Sequence, residues 1–145
     1  TYRAQTVLFD PQLDLAVLKV PGLTADPLRF DTTLDQGDSA VILGFPENGP
    51  FQAGAARIRG RIILRGPDIF GKGRVERDVY SLRGDVRPGN SGGPLISPRG
   101  EVAGVIFAAS ISDPDTGYAV TAREALPVAT AGSKANDAVP TGTCA

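Results

Sequence analysis

The chain has 145 residues, of which 15 are Lys or Arg and 16 are Asp or Glu, so the formal net charge is −1. This balance argues against a nucleic-acid-binding scaffold, for which a clear positive excess is expected. No apolar run reaches the ~18 residues that a membrane-spanning helix requires, and the first residues lack the basic and then apolar pattern of a signal peptide. The sequence contains no His, no Met and a single Cys. One compact domain with its own core is expected at this length.

Short strands separated by turns are predicted for most of the chain. The 18 Gly and 12 Pro residues favour many turns over long helices. Stretches rich in β-branched or alternating apolar residues predict strands at 2–9, 15–20, 39–45, 51–64, 75–82, 94–96, 101–109 and 118–121. The polar segment 21–38 separates the first two strands from the other six. Six strands joined by short turns are typical of an antiparallel barrel or sandwich.

The two ends of the chain carry weaker signals. Thr121 and Glu124 have the spacing of a capping box that opens a helix, and Pro127 is expected to weaken that helix. Residues 131–145 are small and polar, and we expect them to be mobile. We expect the hairpin of residues 1–20 to be poorly supported unless further residues accompany it, because it exposes apolar edges.

Three arginines share one face of the predicted strand 51–64, since Arg57, Arg59 and Arg61 alternate with other residues at a period of two. The simplest interpretation is a solvated strand face. A binding surface for an anionic partner is the alternative.

The segment 89–94, which reads GNSGGP, carries the clearest chemical signal. A serine among glycines is often an ordinary loop residue. An acyl-transfer nucleophile, however, must be open to a carbonyl carbon and needs backbone N–H groups beside it to hold the oxyanion. Gly89 permits unusual backbone angles, so its N–H group and that of Ser91 can point into one pocket. The segment therefore predicts Ser91 as a nucleophile and Gly89 and Ser91 as an oxyanion hole.

A second class of enzyme also places serine in a glycine frame. Gly89, Ser91 and Gly93 satisfy the nucleophile elbow of α/β-hydrolases, which requires a helix directly after the serine and a His later in the chain. Pro94 and a short predicted strand follow the serine here, and the chain has no His. The context excludes the α/β-hydrolase interpretation.

In this context the segment 89–94 resembles the G-N/D-S-G-G-P motif of chymotrypsin-fold proteases, and the resemblance extends along most of the chain. The triad of that family follows the order His, Asp, Ser, and its Asp begins a strand reading D-[IL]-A-[VL]-L. Residues 14–18, DLAVL, match this pattern. By itself Asp14 would be a turn residue at a strand end. The resemblance implies that Asp14 is the triad acid, which orients the imidazole and stabilises the imidazolium.

The resemblance implies an all-β, chymotrypsin-like double β-barrel with the second barrel complete, the first barrel truncated and a short C-terminal helix. Residues 1–20 would form the last hairpin of the first barrel, 21–38 the inter-barrel linker, 39–121 the second barrel and 122–145 the C-terminal helix and tail. The family's His lies some tens of residues before the Asp, but thirteen residues precede Asp14. We therefore expect the His to lie outside this chain and the chain alone to be inactive.

The resemblance also implies substrate-binding residues. Asp85 lies six residues before Ser91, where trypsin-like members have the carboxylate at the floor of the specificity pocket, which would favour Arg or Lys at P1. A solvated loop residue is the alternative. Gly117 matches the small residue at the far wall of the pocket, and Ala109 would leave the entrance open. The segment that pairs with the substrate backbone is matched by Phe107, Ala108 and Ala109. For each of these residues a core or turn role is the alternative.

Asn90 indicates one branch of the family. Members activated by zymogen cleavage have an Asp there, which pairs with a new N-terminus, and an amide cannot form that ion pair. Asn90 resembles the bacterial HtrA/Deg-type members, and segments 65–71 and 77–83 with Cys144 resemble the actinobacterial membrane-anchored MarP type. This implies an extracytoplasmic enzyme, a membrane anchor in an N-terminal part and a disulfide partner for Cys144 in that part. A free thiol is the alternative.

Together these observations predict a serine endopeptidase domain that acts on peptide or protein substrates through an acyl-enzyme, and not on nucleic acid. No metal or cofactor is expected, because the chain has no cluster of His and Cys residues. The rival hypothesis is a peptide-binding barrel without catalysis. A His in the segment that precedes Thr1 would favour the enzyme.

Overall fold

The computed structural model describes residues 1–142, which form eight strands and one α-helix. The elements are β1 (Gln5–Asp10), β2 (Leu15–Lys19), β3 (Ser39–Gly44), β4 (Gln52–Gly66), β5 (Val75–Arg83), β6 (Pro94–Ile96), β7 (Val102–Ala109), β8 (Thr116–Thr121) and α1 (Ala122–Lys134). A single 3₁₀ turn, Pro46–Asn48, follows β3. The prediction of an all-β fold with a short C-terminal helix is confirmed.

Strands β3 to β8 form a closed barrel in the order β3-β4-β5-β8-β7-β6, with antiparallel pairing throughout. Alternate side chains of these strands point inward, because successive residues of a strand face opposite sides. The interior is consequently apolar, and its fully buried large side chains include Ile58, Tyr80, Leu82, Leu95 and Ile106. Closure of the barrel gives every strand a neighbour on both sides, so the barrel has no edge strand.

Strand β4 carries the three predicted surface arginines, and each has a partner. The Arg59 guanidinium pairs with Asp113 at 3.2 Å, and Arg61 Nε donates to Asp78 Oδ1 at 2.7 Å. Arg57 donates to the carbonyl oxygen of Gly37 at 3.1 Å. These contacts support the interpretation of a solvated strand face over an anion-binding surface.

Helix α1 begins where the capping box predicted, but its start is built differently. Thr121 is the N-cap residue, yet its side chain makes no capping hydrogen bond. Glu124 accepts a hydrogen bond from the backbone N–H of Asp78 at 3.3 Å, so it ties the helix to β5. The helix also continues through Pro127 to Lys134. Pro127 therefore does not end the helix, and the weakening expected from the one hydrogen bond that proline removes stays a prediction.

The first hairpin rests on the C-terminal segment. A Cβ added to Gly132 in α1 would lie 2.5 Å from Val17 Cβ, so the helix and β2 are in close contact. Beyond the helix, the Val139 N–H donates to the Thr6 carbonyl oxygen at 2.9 Å, and Lys19 Nζ donates to Asn136 Oδ1 at 2.6 Å. The expectation of a poorly supported hairpin is therefore wrong for the described residues. The mobility expected for residues 131–145 stays a prediction.

The segment between β2 and β3 is fastened to the barrel around Asp31. The Asp31 N–H donates to the Val102 carbonyl oxygen at 2.8 Å. Asp31 is buried, with 2% of the residue exposed. Its carboxylate accepts a hydrogen bond from Thr33 Oγ1 at 2.7 Å and pairs with Arg99 Nη2 at 2.7 Å. Burial acts to raise the pKa of Asp31, but hydrogen bonds from Thr33 and Ser97 and the charge of Arg99 outweigh it, so the pKa lies below its usual value.

We expect Asp31→Asn to lower the free energy of unfolding at pH 7 by about 1–3 kcal/mol, because charge-assisted hydrogen bonds to a buried group are lost. A carboxyl whose folded pKa is depressed stabilises the fold above its unfolded pKa of about 3.9, and this stabilisation is lost as pH falls through the lower folded pKa. Urea unfolding at pH 7 and pH 3 should therefore show the difference from wild type shrinking at pH 3. Asp26→Asn, which alters an exposed carboxylate, is the control. An equal difference at both pH values would contradict the assignment.

Candidate active site

Ser91 lies in the loop between β5 and β6, directly ahead of β6. Two hydrogen bonds attach this loop to β7: the Gly92 N–H donates to the Ile106 carbonyl oxygen at 2.7 Å, and the Ile106 N–H donates to Gly93 at 2.9 Å. Ser91 itself is exposed. Within residues 1–142 its hydroxyl has no hydrogen-bond partner in the protein, so it is open to an external base and to a substrate.

The two peptide groups that carry the N–H groups of Gly89 and Ser91 have fixed orientations. The Pro88 carbonyl oxygen accepts a hydrogen bond from the Glu47 N–H at 2.6 Å, and the Asn90 carbonyl oxygen accepts one from Gly93 at 2.9 Å. The peptide bonds of residues 1–142 are all trans, and in a trans peptide the N–H points away from the C=O. The N–H groups of Gly89 and Ser91 therefore point away from these partners. In the described part of the chain neither N–H has an acceptor, which leaves two free donors beside the nucleophile.

Gly89 occupies a position that tolerates no side chain. Its φ is +95°, in the left-handed region that favours glycine. A Cβ at this position would lie 2.4 Å from the Phe45 carbonyl oxygen and 3.1 Å from the Glu47 nitrogen. The turn after β3 thus presses directly on the backbone that carries one of the free donors.

Asn90 turns away from solvent into a small cavity. The residue is 5% exposed, and its Oδ1 has no hydrogen-bond partner in the protein among the described residues. A Cβ on Gly44 would lie 2.5 Å from this oxygen, so the glycine at the end of β3 makes room for the amide. The cavity has a volume of about 50 Å³ and is lined in part by Ile42, Pro46 and Gln52.

Asp14 is the last residue of the turn between β1 and β2 and immediately precedes β2. Its φ of 60° is one that Asp adopts more readily than most residues. The residue is exposed, and its carboxylate has no hydrogen-bond or ion-pair partner within residues 1–142. No direct hydrogen bond joins it to Ser91. A triad does not require one, because the imidazole stands between the two groups.

The predicted pocket residues are only partly brought together. Asp85 is exposed and pairs with Arg87 at 2.7 Å. The next residue, Val86, is 6% exposed, and its Cγ2 lies 2.2 Å from where a Cβ on Gly117 would be. A valine therefore packs against Gly117 in the structure, while the Asp85 carboxylate is engaged by a neighbouring arginine. The contacts of Asp85 do not support a preference for basic residues at P1.

The end of β7 offers a strand edge next to the nucleophile. Ala108 and Ala109 pair with Tyr118 and Gly117 of β8, with an irregularity at Phe107. On the other side of β7, pairing with β6 ends at Val105, and the loop bonds only to Ile106. Among the described residues the second edge of Phe107, Ala108 and Ala109 is thus unpaired. An open edge of this kind suits an extended peptide backbone.

Sequence reasoning missed the apolar side of the site. A cavity of about 380 Å³ adjoins Ser91 and is lined partly by Leu43, Phe45 and Phe51. Phe45 and Phe51 are 56% and 58% exposed, and their ring centroids lie 5.7 Å apart at 64°. The sequence shows two aromatic residues flanking the turn at 46–49, but a predicted strand end does not reveal that both side chains stay exposed.

Other site types receive no support within residues 1–142. No group of three His, Cys, Asp or Glu side chains there is placed to hold a metal ion. No helix in this part of the chain has the length and apolar character needed to cross a bilayer. Cys144, for which the sequence left a disulfide and a free thiol open, lies outside the described residues.

Comparisons with known proteins show to which serine proteases the chain is similar. The chain is 48% identical over 125 residues to the serine protease Rv3671c (MarP) of Mycobacterium tuberculosis, covering 85% of this chain and 32% of that protein. It is 35% identical over 135 residues to a probable periplasmic DegP-like serine endoprotease of Bartonella henselae, covering 86% of this chain and 25% of the relative. The chain thus spans only about a third of the length of the Rv3671c protein.

Solved structures extend the comparison to three dimensions. The active form of the M. tuberculosis Rv3671c protease superposes with a TM-score of 0.94 at 46% identity, over 99% of this chain and 63% of that one. An inactive form gives 0.80 at 45% identity, over 90% of this chain and 67% of that one. The HtrA-type protease AlgW bound to a decapeptide gives 0.76 at 26% identity, over 92% and 41%. These neighbours confirm the predicted chymotrypsin-like fold of the HtrA-like, MarP-type group. Residues 1–105 match the Trypsin-like peptidase domain, and the chain therefore belongs to the trypsin-like serine peptidase family.

Proposed function

We propose that this chain supplies the nucleophile, the oxyanion hole and the triad acid of an extracytoplasmic serine endopeptidase. One observation carries the proposal: the exposed Ser91 hydroxyl lies beside two backbone N–H groups that have fixed orientations and, in the described residues, no acceptor. Unpaired backbone donors are rare in folded proteins unless they face water or a ligand. An oxyanion that forms on the substrate is the ligand that such a pair of donors binds.

In the proposed reaction the Ser91 oxygen attacks the scissile carbonyl carbon, and an imidazole from outside this chain accepts the serine proton. The Asp14 carboxylate holds that imidazole in the correct tautomer. The N–H groups of Gly89 and Ser91 stabilise the negative charge on the tetrahedral intermediate. The imidazolium then protonates the leaving amine as the C–N bond breaks. In the second half, water attacks the acyl carbon and gives a proton to the imidazole. The bond to the Ser91 oxygen then breaks, and the imidazolium returns a proton to that oxygen.

The absence of any His in the 145 residues leads to a further part of the proposal: the chain is inactive by itself. We propose that a longer polypeptide supplies the base. The relatives are such longer polypeptides, since the chain covers 32% and 25% of their lengths. Location outside the cytoplasm is supported by the periplasmic description of the DegP-like relatives. Similarity to the active form of Rv3671c, higher than to an inactive form, supports a working arrangement of the site.

A fluorophosphonate probe tests the proposal on the complete polypeptide that contains this chain. We expect the probe to label the wild type and the Ser112→Ala variant, which alters an exposed loop serine, and not to label Ser91→Ala. Intact mass and peptide mapping identify the labelled residue. The 145-residue chain alone should stay unlabelled. Absence of labelling in the complete polypeptide at every pH, or labelling of Ser91→Ala, would contradict the proposed mechanism.

A further inference from the structure

Two exposed aromatic side chains stand next to the nucleophile. Phe45 follows β3 and Phe51 precedes β4, on either side of the 3₁₀ turn, and their rings meet edge to face. Single exposed apolar residues are common on protein surfaces, but a contacting pair at the wall of a cavity that also contains the proposed nucleophile suggests a binding site. This cavity is lined by Leu43, Gly44, Phe45, Phe51, Gly89, Ser91, Gly92, Gly93 and Pro94.

The barrel order gives the Ser91 loop two distinct flanks. The loop leads into β6, which lies between β3 and β7 in the closed barrel. On one flank the Ile106 N–H of β7 donates to the Gly93 carbonyl oxygen. On the other flank the Leu43 carbonyl oxygen of β3 lies 2.3 Å from where a Cβ on Gly93 would be. A peptide that passes over Ser91 therefore has β7 on one side and the end of β3 on the other.

The two flanks differ in what they offer a peptide. The β7 flank has the unpaired strand edge at residues 107–109, which suits backbone pairing with the segment before the scissile bond. The segment after the bond must then leave across the β3 flank, because the loop itself fills the space between the two strands. The Phe45–Phe51 pair lies on that flank.

We propose that the Phe45–Phe51 pair is a subsite for an apolar side chain in the first two residues after the scissile bond. This inference rests on the proposed endopeptidase function and adds a determinant of specificity on the leaving-group side. None of the nine residues that line the cavity carries a charge. A charged side chain entering it would lose hydration without gaining a partner, whereas an apolar side chain would bury its surface against two aromatic rings.

The complete polypeptide and internally quenched peptides provide the test. The peptides share one sequence up to the cleaved bond, mapped beforehand by mass spectrometry of a casein digest, and carry either Leu at both of the next two residues or Asp at both. We expect the wild type to cleave the Leu peptide with a kcat/KM at least about 10-fold higher, the size of discrimination that one apolar pocket gives. Phe51→Ala should reduce this ratio to nearly 1, and Phe51→Leu should keep most of it.

Two controls separate this inference from the proposed function. Ile63→Ala removes an apolar side chain that is 53% exposed on β4 and outside the cavity, and its Leu-to-Asp ratio should match the wild type. Fluorophosphonate labelling of Ser91 needs no leaving peptide, so labelling of the wild type reports on the proposed function without involving the subsite. If the wild type is not labelled, the proposed function fails. If it is labelled but the ratio is near 1, or unchanged in Phe51→Ala, the subsite is overturned.

Discussion

The Asp14→Asn variant of the complete polypeptide is expected to lower kcat by about 10⁴-fold, the loss that follows when the acid of a Ser-His-Asp triad becomes an amide. An amide at this position holds the imidazole in the wrong tautomer and does not stabilise the imidazolium. The structure leaves the Asp14 carboxylate exposed and without a partner in residues 1–142, so the substitution breaks no hydrogen bond seen in the fold. The loss should therefore appear in activity and not in stability.

Steady-state hydrolysis of a quenched peptide, together with thermal unfolding, measures the effect of Asp14→Asn. Asp10→Asn is the matched control, because Asp10 ends β1 at the other side of the same turn. Asp10 Oδ1 accepts hydrogen bonds from Gln12 and Leu13 N–H groups at 2.9 and 3.0 Å, and an asparagine oxygen can accept the same bonds. The control should keep its activity within a few-fold. If Asp14→Asn also retains its rate within a few-fold, the triad acid is a different residue.

Gly89→Ala is expected to reduce kcat/KM by about 10²–10³-fold, the typical cost of losing one oxyanion donor. A methyl group at this position would lie 2.4 Å from the Phe45 carbonyl oxygen and 3.1 Å from the Glu47 nitrogen. Both are backbone atoms, which have little freedom to move. The Pro88–Gly89 peptide must then shift. Its hydrogen bond from Glu47 orients the Gly89 N–H, so a shift turns that donor away from the oxyanion.

The Gly100→Ala variant distinguishes the effect of the steric clash at residue 89 from the effect of a left-handed backbone alone. Gly100 also has a positive φ, +76°, but a Cβ there meets no atom within 4 Å, and the residue lies in the turn between β6 and β7. Gly100→Ala should lose about 1–2 kcal/mol of stability from the left-handed backbone alone, and Gly89→Ala should lose more because of the added steric clash; urea unfolding measures both losses. Only Gly89→Ala should lose activity and react more slowly with the fluorophosphonate. Wild-type kinetics in Gly89→Ala would show that its N–H is not an oxyanion donor.

The sequence by itself determined the positions of the strands and the identity of the motif. Period-two apolar patterns and glycine or proline turns are local signals, and they placed all eight strands close to their observed limits. The GNSGGP segment and the DLAVL match pointed to a chymotrypsin-like serine protease, a family that the match over residues 1–105 shows. These features are readable because short-range spacing alone expresses them.

The tertiary structure decided the features that depend on contacts between distant segments. In the loop after β5 the sequence does not show which side chain turns toward the barrel, and the structure places Val86, and not Asp85, against Gly117. Pairing of the hairpin with the C-terminal segment, through Thr6 and Val139, compensates for unpaired edges that local reasoning treated as a weakness. The peptide orientation at Gly89 depends on Glu47, 42 positions earlier in the chain, because the hydrogen bond that fixes this peptide joins the turn after β3 to the Ser91 loop, two segments that only the tertiary structure brings together.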